Sequence, residues 1–324
     1  MEQGTRRWAA LMGRFTFESN LIRFHGGAER YGDTTGASFG TALCDQWFGG
    51  GSIRAEVVFE AVSPASACDL IFCYNPTTRA FITAGLSNEI LYGIKSFDTR
   101  WNAYTAVGEA NRLVAGRRYD LECRVRGSLV TLLSDGVEVA TVNLPLALPQ
   151  SQVGVWCRNE GDIAIQNFAV TAEPPRAFIV MQFTSPFNEL YEEVVRPVCA
   201  EFDIQAVRAD DTYGPGLIIA DVVRQIDEAK VVIADISPVN ANVYYEVGYA
   251  HARGKPTILV ADRKVEKLPF DVSPFRTLFY DNTIDGKRRV EEGLRRHLKA
   301  VLDPSRLSDT PLQPTGAGVA GARV

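Results

Sequence analysis

The stretch from Ala234 to Pro256, ADISPVNANVYYEVGYAHARGKP, most constrains what this chain can fold into. The apolar run Lys230–Asp235 (KVVIAD) leads into it, ends in an acid and predicts a buried strand. A polar turn follows over Ser237–Asn242, where Asn240 or Asn242 can cap a helix. That helix runs to about Arg253. Gly254 closes it as a left-handed cap, and Pro256 prevents its resumption. Thr257–Ala261 (TILVA) is the next strand. The whole is a strand–loop–helix–strand unit. It sets one carboxylate, Glu246, near a helix start at the carboxyl edge of a sheet, where open α/β sheets bind ligands.

Around this unit the pattern alternates between strand and helix. Phe178–Phe183 is an opening strand. A helix near 188–202 carries Leu190, Val194, Val195, Val198 and Phe202 on one face. Gln205–Val207 is a short strand, and 217–228 a second helix with Ile218, Ile219, Val222, Val223 and Ile226 inward. Thr277–Tyr280 is a last strand, and 287–302 a final amphipathic helix. Such alternation predicts a parallel sheet covered on both sides.

The first 170 or so residues read differently. Short apolar or alternating runs, such as Ser52–Glu60, Asp69–Tyr74, Arg118–Arg126 and Leu129–Leu133, are separated by turn residues. Ser134-Asp135-Gly136 is a hairpin signal, with Glu138–Val142 returning. Val153–Cys157 and Ile163–Val170 close the set. Many short strands at this spacing predict a β-sandwich. The fold class is therefore two domains: an all-β jelly-roll sandwich over 1–171, a stiff Pro-Pro linker over 172–176, and an α/β domain over 177–303. A Gly-, Pro- and Ser-rich tail, expected to be disordered, occupies 304–324.

Composition removes several function classes. The net charge of −5 is spread evenly, −2 over residues 1–170 and −3 beyond, so no basic face points to nucleic acid. No apolar run approaches the ~20 residues that span a bilayer, and the N-terminus lacks a signal-peptide core. The six cysteines at 44, 68, 73, 123, 157 and 199 form no CxxC pair and sit in apolar strands. They read as reduced core residues of a cytoplasmic protein. Three scattered histidines disfavour a histidine-based metal site.

The 234–256 motif, the opening strand, the Arg208-Ala-Asp-Asp211 segment and the closing Leu268–Leu278 run occur in order. Together they resemble the nucleoside 2-deoxyribosyltransferase-like and TIR-like superfamily over roughly 177–282. The resemblance implies a flavodoxin-like fold with Glu246 as the catalytic residue. It also implies NAD or another nucleotide as substrate rather than cofactor, and an active homo-oligomer. Cleaving an N-glycosidic bond builds positive charge on the ribose carbon, and a fixed carboxylate can stabilise or attack it. The expected position near the helix start favours the ionised form of Glu246. A first-turn glutamate that merely complements the helix dipole is the competing reading.

Other candidates flank Glu246. Met181, Gln182 and Phe183 leave the first strand at a turn whose amides could receive a phosphate. Relatives often read Met-Pro-Phe there, and this chain has Gln182 in place of proline. Arg208, Asp210 and Asp211 resemble the charged pair that relatives carry before a glycine-containing loop, here Tyr213–Gly216. An ion pair holding the loop serves equally well. Asp235 either orients a ribose hydroxyl or holds the Ser237 turn. Asn240 and Asn242 contact substrate or cap the helix. Tyr244 and Tyr245 are consecutive, so both cannot face the core, and Tyr245 is the candidate to stack on a base. His251 reads as structural, and Lys255 as a cap of the helix-end carbonyls.

Gly51–Phe59, the Ser134–Gly136 hairpin, Gln152–Trp156 and Gln166–Val170 resemble concanavalin A-like jelly rolls of the laminin-G, lectin and glucanase group. That resemblance implies a glycan or protein ligand, or a supporting role. The combined expectation is a regulated NAD hydrolase yielding nicotinamide and an ADP-ribose product, arranged as in bacterial anti-phage effectors. The alternatives are a nucleotide deoxyribosyltransferase or N-glycosidase, and a non-catalytic scaffold.

Overall fold

The structure, a computed structural model, describes residues 6–145, 148–208, 218–237, 240–265 and 275–302. Asp210, Asp211, the Tyr213–Gly216 loop, most of the Leu268–Leu278 run and the tail 304–324 lie outside the described residues.

The N-terminal half is two antiparallel sheets packed face to face, and it fits a jelly-roll sandwich. The eight-stranded sheet runs, in spatial order, Trp8–Met12, Thr34–Phe48, Ser151–Asn159, Ala67–Tyr74, Phe81–Ser87, Tyr92–Phe97 and Trp101–Val107. Ala28–Tyr31 folds back on Thr34–Phe48. The seven-stranded sheet runs Val137–Asn143, Leu129–Ser134, Arg118–Arg126, Gly51–Phe59, Ile163–Ala172, Leu21–Phe24 and Phe15–Phe17. Strand periodicity sets the core. In Gly51–Phe59, Ile53, Ala55, Val57 and Phe59 point inward and are fully buried. Arg54 and Glu56 point outward, where they pair with Asp120 and Arg118 of the neighbouring strand. Asp135 and Gly136, with φ of 52° and 78°, make the two-residue turn the sequence announces.

The sandwich ends at Ala172, and the first strand of the parallel sheet begins at Arg176. That sheet has five strands in the spatial order Gln205–Arg208, Arg176–Val180, Val231–Asp235, Thr257–Asp262, Thr277–Tyr280, all parallel. Numbered by chain order the arrangement is 2-1-3-4-5, a doubly wound order whose switch point lies between strands 1 and 3. Alternation within strands builds two cores. Ala177 and Ile179, followed by Met181, face helical residues 187–200 and the helix Ile284–Leu302. Phe178 and Val180 face the helices Ile218–Glu228 and Ala241–Ala252. The helical stretch 187–200 carries a π turn over Tyr191–Val195, two residues before Pro197, which cannot donate to a preceding carbonyl.

The two halves touch directly. Gly127, at φ 59°, lies so close to the carbonyls of Glu228 and Ala229 that a Cβ there would collide with both. Lys255 Nζ donates to Ser128 Oγ of the sandwich (2.6 Å), to Ala229 O (3.0 Å) and to Asp227 O. Lys255 therefore caps the end of helix Ile218–Glu228, and not the end of its own helix, which was the expectation from the sequence. The reason is tertiary: Gly254 turns the chain away and aims the lysine stem across to the neighbouring helix.

Candidate functional site

The carboxyl edge of the parallel sheet gathers the segments singled out in the sequence. At its centre Asp235, the last residue of strand 3, is 1% exposed. Its Oδ1 accepts from Ser237 N (2.8 Å) and Ser237 Oγ (2.5 Å), and its Oδ2 from Tyr280 OH (2.7 Å). Ser237 Oγ in turn accepts from the backbone N–H of Asp262 (2.8 Å). One buried acid thus ties the ends of strands 3, 4 and 5 together. Burial raises the Asp235 carboxyl, against the hydrogen bonds that lower it, and burial also raises Tyr280. Both oxygens of Asp235 and the hydroxyl of Ser237 are engaged, so these two residues hold the turn. Sequence reasoning missed Tyr280. Its signal was slight, a tyrosine closing the last strand.

The turn leads into the helix Ala241–Ala252. Asn240 is its N-cap, with Oδ1 accepting from Asn242 N at 2.9 Å. Val243, Val247 and Ala250 bury one face. Tyr244 packs against the core and donates to Ile236 O at 3.4 Å, while Tyr245 is 53% exposed. His251 stacks on Phe275 at 4.1 Å between centroids.

With Asn240 as cap, Glu246 is the sixth helical residue and lies in the second turn. It lies further from the helix start than the sequence suggested, beyond the first turn that the competing reading required, and the helix dipole has largely faded there. Helical periodicity puts Glu246 on the flank shared with Asn242, Tyr249 and Arg253. That flank faces helix Ile218–Glu228, since Tyr249 and Arg253 both reach Asp227. Glu246 is half-buried, and among the described residues no hydrogen bond or ion pair reaches its carboxylate. Burial alone pushes its carboxyl up to about 7. The expectation of a carboxylate held ionised by the helix terminus is therefore corrected: desolvation outweighs the dipole.

On the other side of the switch point, Arg208 ends strand 2. Its guanidinium lies 5.0 Å from the Phe183 ring centroid and 4.5 Å from that of Tyr191, and Nη1 donates to Asn188 Oδ1 at 2.9 Å. Phe183 is largely exposed and Gln182 half-buried. Met181 is buried against the helical stretch 187–200, so its side chain belongs to the core and cannot line a substrate site. Strand alternation, continued one residue past the strand end, accounts for this. The structure brings Arg208 to Phe183 and Asp235 to Ser237. It links Glu246 to neither pair through a direct polar contact among the described residues. A cavity of about 320 Å3 at the same edge, lined by Glu189, Glu193, Asp262, Tyr280 and Lys287 among others, does not include Glu246. No cluster that could hold a metal ion occurs among the described residues.

No family model matches the chain, and no curated protein matches it. Solved structures do. A carbohydrate binding module from Bacillus subtilis aligns at 11% identity over 50% of this chain and 92% of its own, with a TM-score of 0.42. The β-glucanase of Bacillus licheniformis aligns at 9% identity over 53% and 95%, with a TM-score of 0.37. A prokaryotic β-1,3-1,4-glucanase derived from a mouse hindgut metagenome aligns at 9% over 52% and 93%, with a TM-score of 0.36. Strand order and packing, not these likenesses, carry the fold assignment. No helix among the described residues is long and apolar enough to cross a membrane.

Proposed function

We propose that the α/β domain is TIR-like and cleaves the N-glycosidic bond of a nucleotide, with NAD as substrate and Glu246 as the catalytic carboxylate. The observation that carries this reading is a half-buried carboxylate, without a polar partner among the described residues, on the helix that follows strand 3 at the switch point of a doubly wound sheet. Such a group is destabilised as an anion and gains most when positive charge develops next to it, as on a ribose carbon losing its base. Nicotinamide leaves a pyridinium as a neutral molecule and needs no proton, so the ionised form of Glu246 serves that step. Arg208 supplies a cation for a phosphate. The sandwich acts as a sensing or assembly module, the active form is a homo-oligomer, and the setting is that of an anti-phage effector.

The raised carboxyl also favours a second reading. A nucleobase leaving group must be protonated, and a carboxyl that ionises at about 7 is still partly protonated near neutrality. That form would serve a nucleotide N-glycosidase or deoxyribosyltransferase. Chromatography of products from concentrated full-length protein, given NAD and a nucleotide mixture, separates the readings. Nicotinamide from wild type but not from Glu246→Gln supports the first. Free nucleobase or base exchange moves the assignment to the second. No product from wild type at any concentration overturns both and leaves the α/β domain as a scaffold.

A further inference from the structure

The outer face of the eight-stranded sheet, turned away from the sandwich core, carries a second aromatic cluster. Phe81, Phe97, Trp101 and Trp156 meet at centroid distances of 4.8–5.6 Å, mostly edge to face or tilted. With Phe39 and Tyr31 they wall a cavity of about 320 Å3. A second cavity of about 200 Å3 adjoins it across Trp101, Trp156 and Arg158, with Gly93, Ala103 and Lys95 in its lining.

A buried charge lies in the same face. Asp69 is fully buried, and its Oδ2 lies 3.1 Å from Lys95 Nζ. Lys95 in turn sits 5.0 Å and 5.7 Å from the rings of Trp101 and Trp156. Gly85 opposite leaves room for the carboxylate, since a Cβ there would come within 2.6 Å of Asp69 Oδ1. An apolar pair would cost the fold less than this ion pair, so a role beyond packing is the natural reading. Arg158 stands at the rim, and its nearest acid, Glu89, is 3.7 Å away with both side chains solvated.

We propose that this groove binds a flat aromatic ring carrying an anionic group, of which a nucleoside monophosphate is the representative. Six aromatic side chains line the ring cavity. Its polar groups are few: Thr41, the Tyr31 hydroxyl, whose one proton is already taken by Glu29 Oε2 or Ala37 O, and Arg158. A hexose can rest its apolar face on these rings, but its ring of hydroxyls would find few side-chain partners in this lining. A nucleobase carries its polar atoms only at the ring edge, and both of its faces stack on aromatic side chains. The anion falls to Arg158, whose weakly held guanidinium can exchange its glutamate for a stronger acceptor.

All four tryptophans (8, 47, 101 and 156) lie in the sandwich and none in the α/β domain, so their emission reports the sandwich alone even if the other domain also takes nucleotide. The experiment titrates full-length protein with adenosine 5′-monophosphate, adenosine, ribose 5-phosphate and laminarihexaose while following that emission. We expect a saturable change with adenosine monophosphate, a weaker one with adenosine and none with ribose 5-phosphate. Arg158→Gln should weaken the monophosphate about tenfold and leave adenosine within about twofold. Trp101→Leu should weaken both about tenfold or more, with Trp156 still reporting. Loss of folding in Trp101→Leu would leave Arg158→Gln as the deciding variant. No saturable response to the monophosphate, an unchanged affinity in Arg158→Gln, or a response to laminarihexaose alone would overturn the proposal.

Discussion

Replacing Glu246 by glutamine should stabilise the protein while removing activity, and the stabilisation should depend on pH in one direction only. Burial lifts the Glu246 carboxyl from 4.5 to about 7. The folded state therefore holds a proton that the unfolded state releases anywhere between those values. Stability from this group is complete below about 4.5 and is lost as pH rises to about 7. At about 1.4 kcal/mol per pH unit the full penalty is roughly 3 kcal/mol. The side chain is only half-buried, and solvent screening reduces the figure to about 1 kcal/mol. Glutamine has nearly the same shape and no charge to desolvate. Thermal unfolding of wild type and Glu246→Gln across pH 4 to 9 checks this. The variant should melt a few degrees higher above about pH 7.5 and match wild type near pH 4. A variant less stable at high pH, or a difference independent of pH, would mean that Glu246 has a partner in the folded protein, and the argument from an isolated carboxylate would fail. Gain of stability with loss of activity is the pattern expected of a functional group held at a cost to the fold.

Three further outcomes follow from the packing. Tyr280→Phe removes the donor to Asp235 Oδ2 and should destabilise the α/β domain by about 1–3 kcal/mol, read by denaturant unfolding. Gly127→Ala forces a Cβ against the Glu228 and Ala229 carbonyls at a positive φ, so the contact between the halves should loosen. Faster proteolysis near residues 173–175 would report it. The six cysteines are buried, and burial pushes the thiols of Cys73 and Cys199 up to about 12. Native protein should therefore leave an aromatic disulfide reagent untouched until denaturant is added.

The sandwich strands and the parallel sheet with its helices were legible where local chemistry decides the structure. Continuous apolar runs such as Val231–Asp235 read as buried parallel strands because both faces are covered. The Asp135-Gly136 turn and the Gly254 cap, at φ 65°, each demand the residues found there. The position of Glu246 was not legible, because Asn240 and Asn242 are both competent caps. Choosing one over the other moves the glutamate by two helical positions, from the reach of the dipole to beyond it. The role of Lys255 was hidden for another reason, since its acceptors lie 26 to 127 residues away in sequence. The outer aromatic face was hidden as well. Phe81–Ser87 is buried on both sides, so the alternation that marks a half-exposed strand is absent. Met181 shows the converse: a motif position suggested a ligand contact, and strand alternation had already committed the side chain to the core.

The proposed reaction is cleavage of the bond between nicotinamide and ribose by the ionised carboxylate of Glu246. Nicotinamide release from NAD, followed from pH 5 to 9 with wild type and Glu246→Gln, tests it most directly. The rate should rise about tenfold per pH unit below a midpoint near 7 and then level off. Glu246→Gln should be slower by about 100-fold or more at the plateau. A profile flat across this range, a midpoint near 4.5, or a variant within a few-fold of wild type would contradict the assignment.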